Sequence, residues 1–170
     1  MGYLDPTRCN VYDIEAERQF TFQFIPETIS DSKGSNWATY NIQGRSSPLR
    51  GYSSGPSRTI RFTAVMFVDP VADGTTKSLS QIKQDVDFLL SLPYPDYSGG
   101  LKPPHKCLVN IGDIVQGFQA VCTNAQADYI GSWPWEPGPG LPHGVRVSLE
   151  FAEVQDSPLD TLDRRGGKHA

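Results

Sequence analysis

A mainly β fold, a barrel or sandwich with one flanking amphipathic helix, is predicted by three phrases of this sequence. They are Phe-Thr-Phe-Gln-Phe-Ile-Pro (residues 20–26), Thr-Ile-Arg-Phe-Thr-Ala-Val-Met-Phe-Val (59–68) and Val-Arg-Val-Ser-Leu-Glu-Phe-Ala-Glu-Val (145–154). Each alternates side-chain types with period two, the spacing of a strand whose two faces meet different surroundings. Turns rich in glycine and proline lie between them, with a single helical pattern.

Taken in order, residues 1–19 are polar with little periodicity and read as an arm, with a short helical turn near 14–18. A strand over 19–25 places Phe20, Phe22 and Phe24 on one face, and Pro26 stops its ladder because proline has no amide donor. Residues 31–36 form a turn by composition, and 36–43 read as a strand carrying Trp37, Tyr40 and Ile42. Residues 44–57 hold three glycines, two prolines and five serines, which reads as an exposed loop and a contact surface. The strand over 59–68 turns Ile60, Phe62, Ala64, Met66 and Val68 to the core. Its other face changes from polar (Thr59, Arg61, Thr63) to apolar (Val65, Phe67), so one end is expected wetted and the other covered. Asp73-Gly74 marks a turn.

Residues 78–91 are the one helix. Ser78 with Gln81 fits a capping box, which satisfies otherwise orphaned amide donors. Leu79, Ile82, Val86, Leu89 and Leu90 make an apolar stripe, and Lys83, Gln84, Asp85 and Asp87 a solvated face. Pro93 and Pro95 end it. After an irregular stretch, strands follow over 106–111 and 114–122, with a turn at Gly112-Asp113 and a weaker polar strand over 126–130. Residues 133–144 include four prolines and three glycines and cannot be a regular ladder. The last strand turns Val145, Val147, Leu149 and Phe151 inward and Arg146, Ser148 and Glu150 outward. The domain therefore spans 20–156, followed by a polar tail over 157–170.

The net charge of −4 supplies no global basic field to hold nucleic acid by counterion release, so DNA can pass near such a chain without being gripped. No apolar run of about 20 residues suggests a membrane span, and the first residues lack a signal peptide's basic and apolar regions. Thr7 falls one place beyond a myristoylation signal, so cytoplasmic synthesis is expected. Cys9, Cys107 and Cys122 are too few for a disulfide framework. Cys107 and Cys122 admit one bridge across adjacent strands, but buried reduced thiols are the plainer reading.

No catalytic residue, metal ligand set or cofactor site is expected. His105 and His143 sit beside prolines in loops, His169 lies in the tail, and no Gly-x-Ser-x-Gly elbow is present. Asp85 and Asp87 diverge on a helix and do not form an acid–base pair. The glycine clusters match no phosphate-cradling motif. Trp133 and Trp135 either pin the proline-rich loop to the domain, anchor a protein partner, or stack on a sugar. Arg45, Arg50, Arg58 and Arg61 give the centre local positive character, suited to pairing with a neighbouring subunit.

The order of these phrases resembles the tube-protein domain of contractile injection systems, a family of tail-tube and baseplate components often joined to a LysM module. An aromatic strand ending at Ile25-Pro26 leads to a second, 37–42, and to Gly44-Arg45-Ser46-Ser47-Pro48. Then come a glycine-containing lead-in (55–62), the long central strand, and a helix ending in Leu92-Pro93-Tyr94-Pro95. Pro103-Pro104, strands to Gly112 and Cys122, a proline-rich approach and the strand over 145–153 complete the match. The chain departs from longer relatives in carrying no LysM module, which removes the ground for expecting peptidoglycan contact. The resemblance implies a tail-tube-like barrel assembled as a hexameric ring, bridging hub or baseplate to tube in a virion built in the host cytoplasm. Its partners would be copies of itself and adjacent tube, hub and baseplate proteins, with DNA passing through the lumen. Trp133, Trp135, Arg45, Arg50 and Arg58 become candidate contacts between subunits or rings, and Thr59, Arg61 and Thr63 a wetted barrel face. The alternative is a β-sandwich module binding carbohydrate or protein through the Trp133/Trp135 loop.

Overall fold

A computed structural model describes residues 9–67, 78–97, 99–130 and 144–154. Seven strands form one antiparallel sheet, in the order β2 (Arg18–Thr21), β1 (Cys9–Asp13), β7 (Lys106–Ile111), β8 (Val115–Tyr129), β9 (Gly144–Glu153), β6 (Thr59–Phe67), β3 (Ile29–Ser32). Two more strands, β4 (Asn36–Tyr40) and β5 (Leu49–Ser54), pair only with each other. The helix α1 (Leu79–Ser91) packs against β8 and β2. The mainly β fold with one flanking helix is thus present.

The sheet curls without closing. Its edges are β2 and β3, consecutive in the chain, and residues 22–28 cross the gap between them. Phe22 leaves the end of β2 to pack edge-on against Phe62 of β6 at 5.4 Å, and Phe62 stacks on Phe151 of β9 at 5.7 Å. Gln23, buried, stands in for a missing strand residue. Its Nε2 donates to the Phe67 carbonyl at 2.9 Å and its Oε1 accepts from the Phe67 amide at 3.0 Å. A side-chain amide thus satisfies part of the β6 edge, where burying an unpaired backbone group would cost about 1–3 kcal/mol. The expected barrel is therefore an open one.

Cross-strand pairing sets one apolar face. Phe20, Val11, Val109 and Phe118 form one row; Cys122, Phe151 and Ile60 another; Val147 and Ala64 a third. All are buried, as are Ile82, Val86, Phe88, Leu89 and Leu92 from α1. The alternation expected in β6 and β9 is present, with Ile60, Phe62, Ala64 and Met66 inside and Arg61 outside. The helix begins as expected, with Ser78 as N-cap and both capping-box bonds to Gln81 made, at 3.3 Å and 2.9 Å. Gly112, in the β7–β8 turn, takes φ 53°, a conformation that glycine adopts without Cβ strain.

Four expectations are corrected. Of the stretch read as an arm, Cys9–Asp13 is β1, a strand inside the sheet, and only residues 14–17 turn. The aromatic strand ends at Thr21, so Phe24 is largely exposed and packs on Phe67 instead. The strands expected over 114–122 and 126–130 are one strand, β8, interrupted by a bulge between Cys122 and Asn124. The bulge reverses side-chain parity, so Ala125 and Ala127 continue the inward face while Asn124, Gln126 and Asp128 turn outward. The loop expected over 44–57 contains β5. The turn at Asp73-Gly74, the proline-rich segment up to residue 143 and the tail lie outside the described residues.

Gly144 opens β9 where there is no room for a side chain. A Cβ there would lie 2.6 Å from ring carbons of Phe67 and 3.1 Å from Ile130 Cδ1. Gly144→Ala is therefore expected to destabilise the domain by about 1–3 kcal/mol through overpacking, read as a lowered urea midpoint.

Candidate functional site

One exposed apolar element of the described surface is the β4–β5 hairpin; Tyr94, Tyr97 and Leu101, after α1, are exposed as well. Trp37, Tyr40 and Tyr52 are 56%, 59% and 63% exposed, and Ile42 and Leu49 are exposed with them. Register places Trp37 opposite Tyr52 and Thr39 opposite Arg50 on one face, and Tyr40 opposite Leu49 on the other. Trp37 and Tyr52 meet edge-on at 5.7 Å, and the indole Nε1 donates to Ser35 Oγ at 2.9 Å. Tyr40 lies over Gly51, whose Cβ position is 3.3 Å from the ring. The tip turns where the Arg45 amide donates to the Ile42 carbonyl at 3.2 Å, with Gly44 at φ 87°. A two-stranded hairpin is at best marginally stable alone in water. This one has apolar side chains on both faces and no third strand among the described residues, so its large side chains are available to another surface.

The second feature is the outer face of the sheet. Arg61 Nη2 donates to Glu150 Oε1 at 2.8 Å, and Thr63 Oγ1 lies 3.2 Å from Ser148 Oγ. Asn124, Gln126 and Asp128 of β8 continue these rows through Glu150, Ser148 and Arg146. Arg61, Arg146, Glu150 and Asp128 balance, leaving the polar patch neutral. Thr59, Arg61 and Thr63 share this face, Arg61 exposed and the threonines half-buried.

Arg45 and Arg50 both lie in the exposed hairpin. Arg58 does not. Its Nε donates to Asp31 Oδ1 at 2.6 Å, its Nη2 also bonds Asp31, and its guanidinium lies 5.2 Å from the Phe118 ring centroid. The bond to Asp31 raises its pKa further, and its charge is answered within its own chain. Trp133, Trp135 and His143 lie outside the described residues.

A polar cluster not foreseen from the residues ties β1 to the start of β7. Asp13, buried at the end of β1, accepts at Oδ1 from the amides of Glu15 and Ala16 (3.0 and 3.1 Å), which shapes the β1–β2 turn. Its Oδ2 lies 3.0 Å from His105 Nδ1, at the entry to β7, and Glu15 lies 3.7 Å from Nε2. No local signal marked it, because Asp13 is buried only once β1 pairs with β7. Cys107, opposite Asp13 in the β1–β7 register, is buried; its thiol donates to the His105 carbonyl and is pushed up to about 12 chiefly by burial. Cys9, Cys107 and Cys122 are free and buried. Cys107 sits opposite Ala120, not Cys122. Among the described residues no group of three or more His, Cys, Asp or Glu could hold a metal ion, and no helix is long and apolar enough to cross a membrane.

The hydrogen bond to Asp13, helped by the charges of Asp13, Glu15 and Asp96, raises the His105 pKa against the opposing effect of burial. The fold thus favours the imidazolium. Its contribution is complete below about pH 6.5, where histidine in the unfolded chain is also protonated, and is lost as pH rises through the folded value. Unfolding midpoints of the parent are expected to fall with rising pH across this window, and those of His105→Gln to fall less.

A family model described as contractile injection system tube protein matches residues 7–131, most of the chain. The chain belongs to the contractile injection system tube protein family. The match begins before β1 and stops before β9, so β1 is part of the family domain. No curated protein matches the chain. Among solved structures it is similar to the SPP1 Dit (gp 19.1) protein, described as a paradigm of the hub adsorption apparatus in phages infecting Gram-positive bacteria. That likeness has 14% identity and a TM-score of 0.49, covering 87% of this chain and 50% of the other. The chain spans about half the length of that protein. Membership in the tube family makes this protein a structural component of the tail-tube class.

Proposed function

We propose that this tube-family protein forms a ring, sixfold in symmetry, on the axis of a phage tail or tail-like particle, at the junction of hub or baseplate with the tail tube. The observation that carries the reading is the β4–β5 hairpin, an arm with large apolar side chains on both faces and no cover within its own described chain. Such an arm suits insertion between neighbouring subunits, where burial removes its aromatic surface from water. The second support is the neutral polar face of β6 and β9, continued by Gln126 and Asp128 of β8, which suits an aqueous lumen through which DNA passes without being held. Arg45 and Arg50 contribute from the arm. The proline-rich segment with Trp133 and Trp135, and the tail over 157–170, add contacts between rings. The protein works as a scaffold, without catalysis, in a virion assembled in the host cytoplasm.

Electron microscopy of the purified chain, alone and with tube and hub proteins of the same particle, tests this. Sixfold rings, or incorporation into rings of those partners, are expected. A chain that stays monomeric and joins none of them would refute the proposal.

A further inference from the structure

The proposed ring leaves open where the arm goes, and the structure offers a receiving surface. Between the C-terminal end of α1 and the bulge of β8 runs a groove of about 300 Å3, lined by Leu90, Pro93, Tyr94, Thr123, Asn124 and Ala125. Apolar side chains from the helix end form one wall. The bulge forms the other, where the chain turns an exposed amide, Asn124, outward beside half-buried Ala125.

Charge decides between occupants. Residues 33–57, the arm with its flanks, contain Lys33, Arg45 and Arg50 and no acidic residue. The whole chain carries −4, so without the arm's +3 the remainder carries −7. A cationic apolar arm on an anionic body is complementary to another copy of that body. Beside the groove, α1 supplies an acidic residue. Asp87 lies one helical turn before Leu90, outside the groove's lining, is exposed, and forms no ion pair among the described residues. On the arm, Arg50 shares a face with Trp37 and Tyr52, so the aromatic pair and the cation face the same way. A head-to-tail ring requires two different, mutually complementary patches on each chain, and the arm and this groove are such a pair.

We infer that the α1–β8 groove is the docking site for the β4–β5 arm of a second copy of this chain, with the Trp37/Tyr52 face in the groove and Arg50 beside Asp87. This rests on the ring-forming reading above. The test is a charge-reversal cycle on the full chain, read as association against concentration by sedimentation velocity. Arg50→Glu and Asp87→Lys are each expected to weaken association about tenfold or more, and one chain carrying both to recover most of it. A second measurement stands if a reversed chain fails to fold. Chains with Tyr52→Cys, mixed with chains with Asn124→Cys and mildly oxidised, are expected to give a mixed disulfide dimer, since the native thiols are buried. Rings that persist unchanged through both reversals, or form without that cross-link, overturn the docking site and leave the ring reading standing. Single reversals that weaken rings without mutual rescue also overturn it. A parent chain that stays monomeric at every concentration overturns both.

Discussion

Phe62→Ala is expected to cost about 3–5 kcal/mol of folding stability, enough to unfold most marginally stable domains. Phe62 sits where the curl of the sheet brings distant segments together. Its ring stacks on Phe151 at 5.7 Å, meets Phe22 edge-on at 5.4 Å, and is nearly fully buried. Truncation leaves a cavity that three elements would have to close at once, and β6 is held by β9 on one side and β3 on the other. One residue further on, Thr63 faces the polar side with only a hydroxyl contact to Ser148, so Thr63→Ala is expected to change stability by about 0.5 kcal/mol or less. Urea unfolding of both variants measures the pair. Equal, large losses would refute the assignment of faces.

The same contrast explains what could be read in the sequence. Strands β6, β7 and β9 have one face in the core and one outside, and there period two is imposed by burial and visible in the residues. The helix was legible for the same reason, and its capping box is local. Strand β8 was legible only in halves, because the bulge between Cys122 and Asn124 breaks the period at the point where it preserves the buried face. Strand β5 was invisible. Leu-Arg-Gly-Tyr-Ser-Ser has neither face in the core, so nothing in the fold requires alternation there. Strand β1 was hidden by Asp13, whose burial depends on His105, far along the chain. The pairing of Arg58 was hidden in the same way. Its partner Asp31 is 27 residues distant, and a pairing across strands leaves no trace in local composition. The open sheet, held at one edge by the Gln23 side chain, is likewise a long-range fact.

Trp37→Ala is expected to weaken assembly by about 2 kcal/mol or more, a loss of roughly thirtyfold in association, while leaving the isolated domain's unfolding midpoint almost unchanged. Trp37 belongs to a two-stranded sheet that shares no ladder with the seven-stranded one, so the core does not depend on it. Within the arm it touches Tyr52 and bonds Ser35, contacts that shape the hairpin's surface and bury little of it. An exposed indole of this size gains most when a neighbour removes it from water, which is why tryptophan concentrates the energy of interfaces. Ring formation followed by light scattering, beside thermal unfolding of the monomer, separates the two contributions. A variant that assembles like the parent but melts several degrees lower would place Trp37 against its own domain and remove the arm from the interface. Hydrogen exchange adds an independent reading. The amides of Asn36–Tyr40 and Leu49–Ser54, in an otherwise solvated hairpin, should gain protection on assembly in the parent and much less in Trp37→Ala.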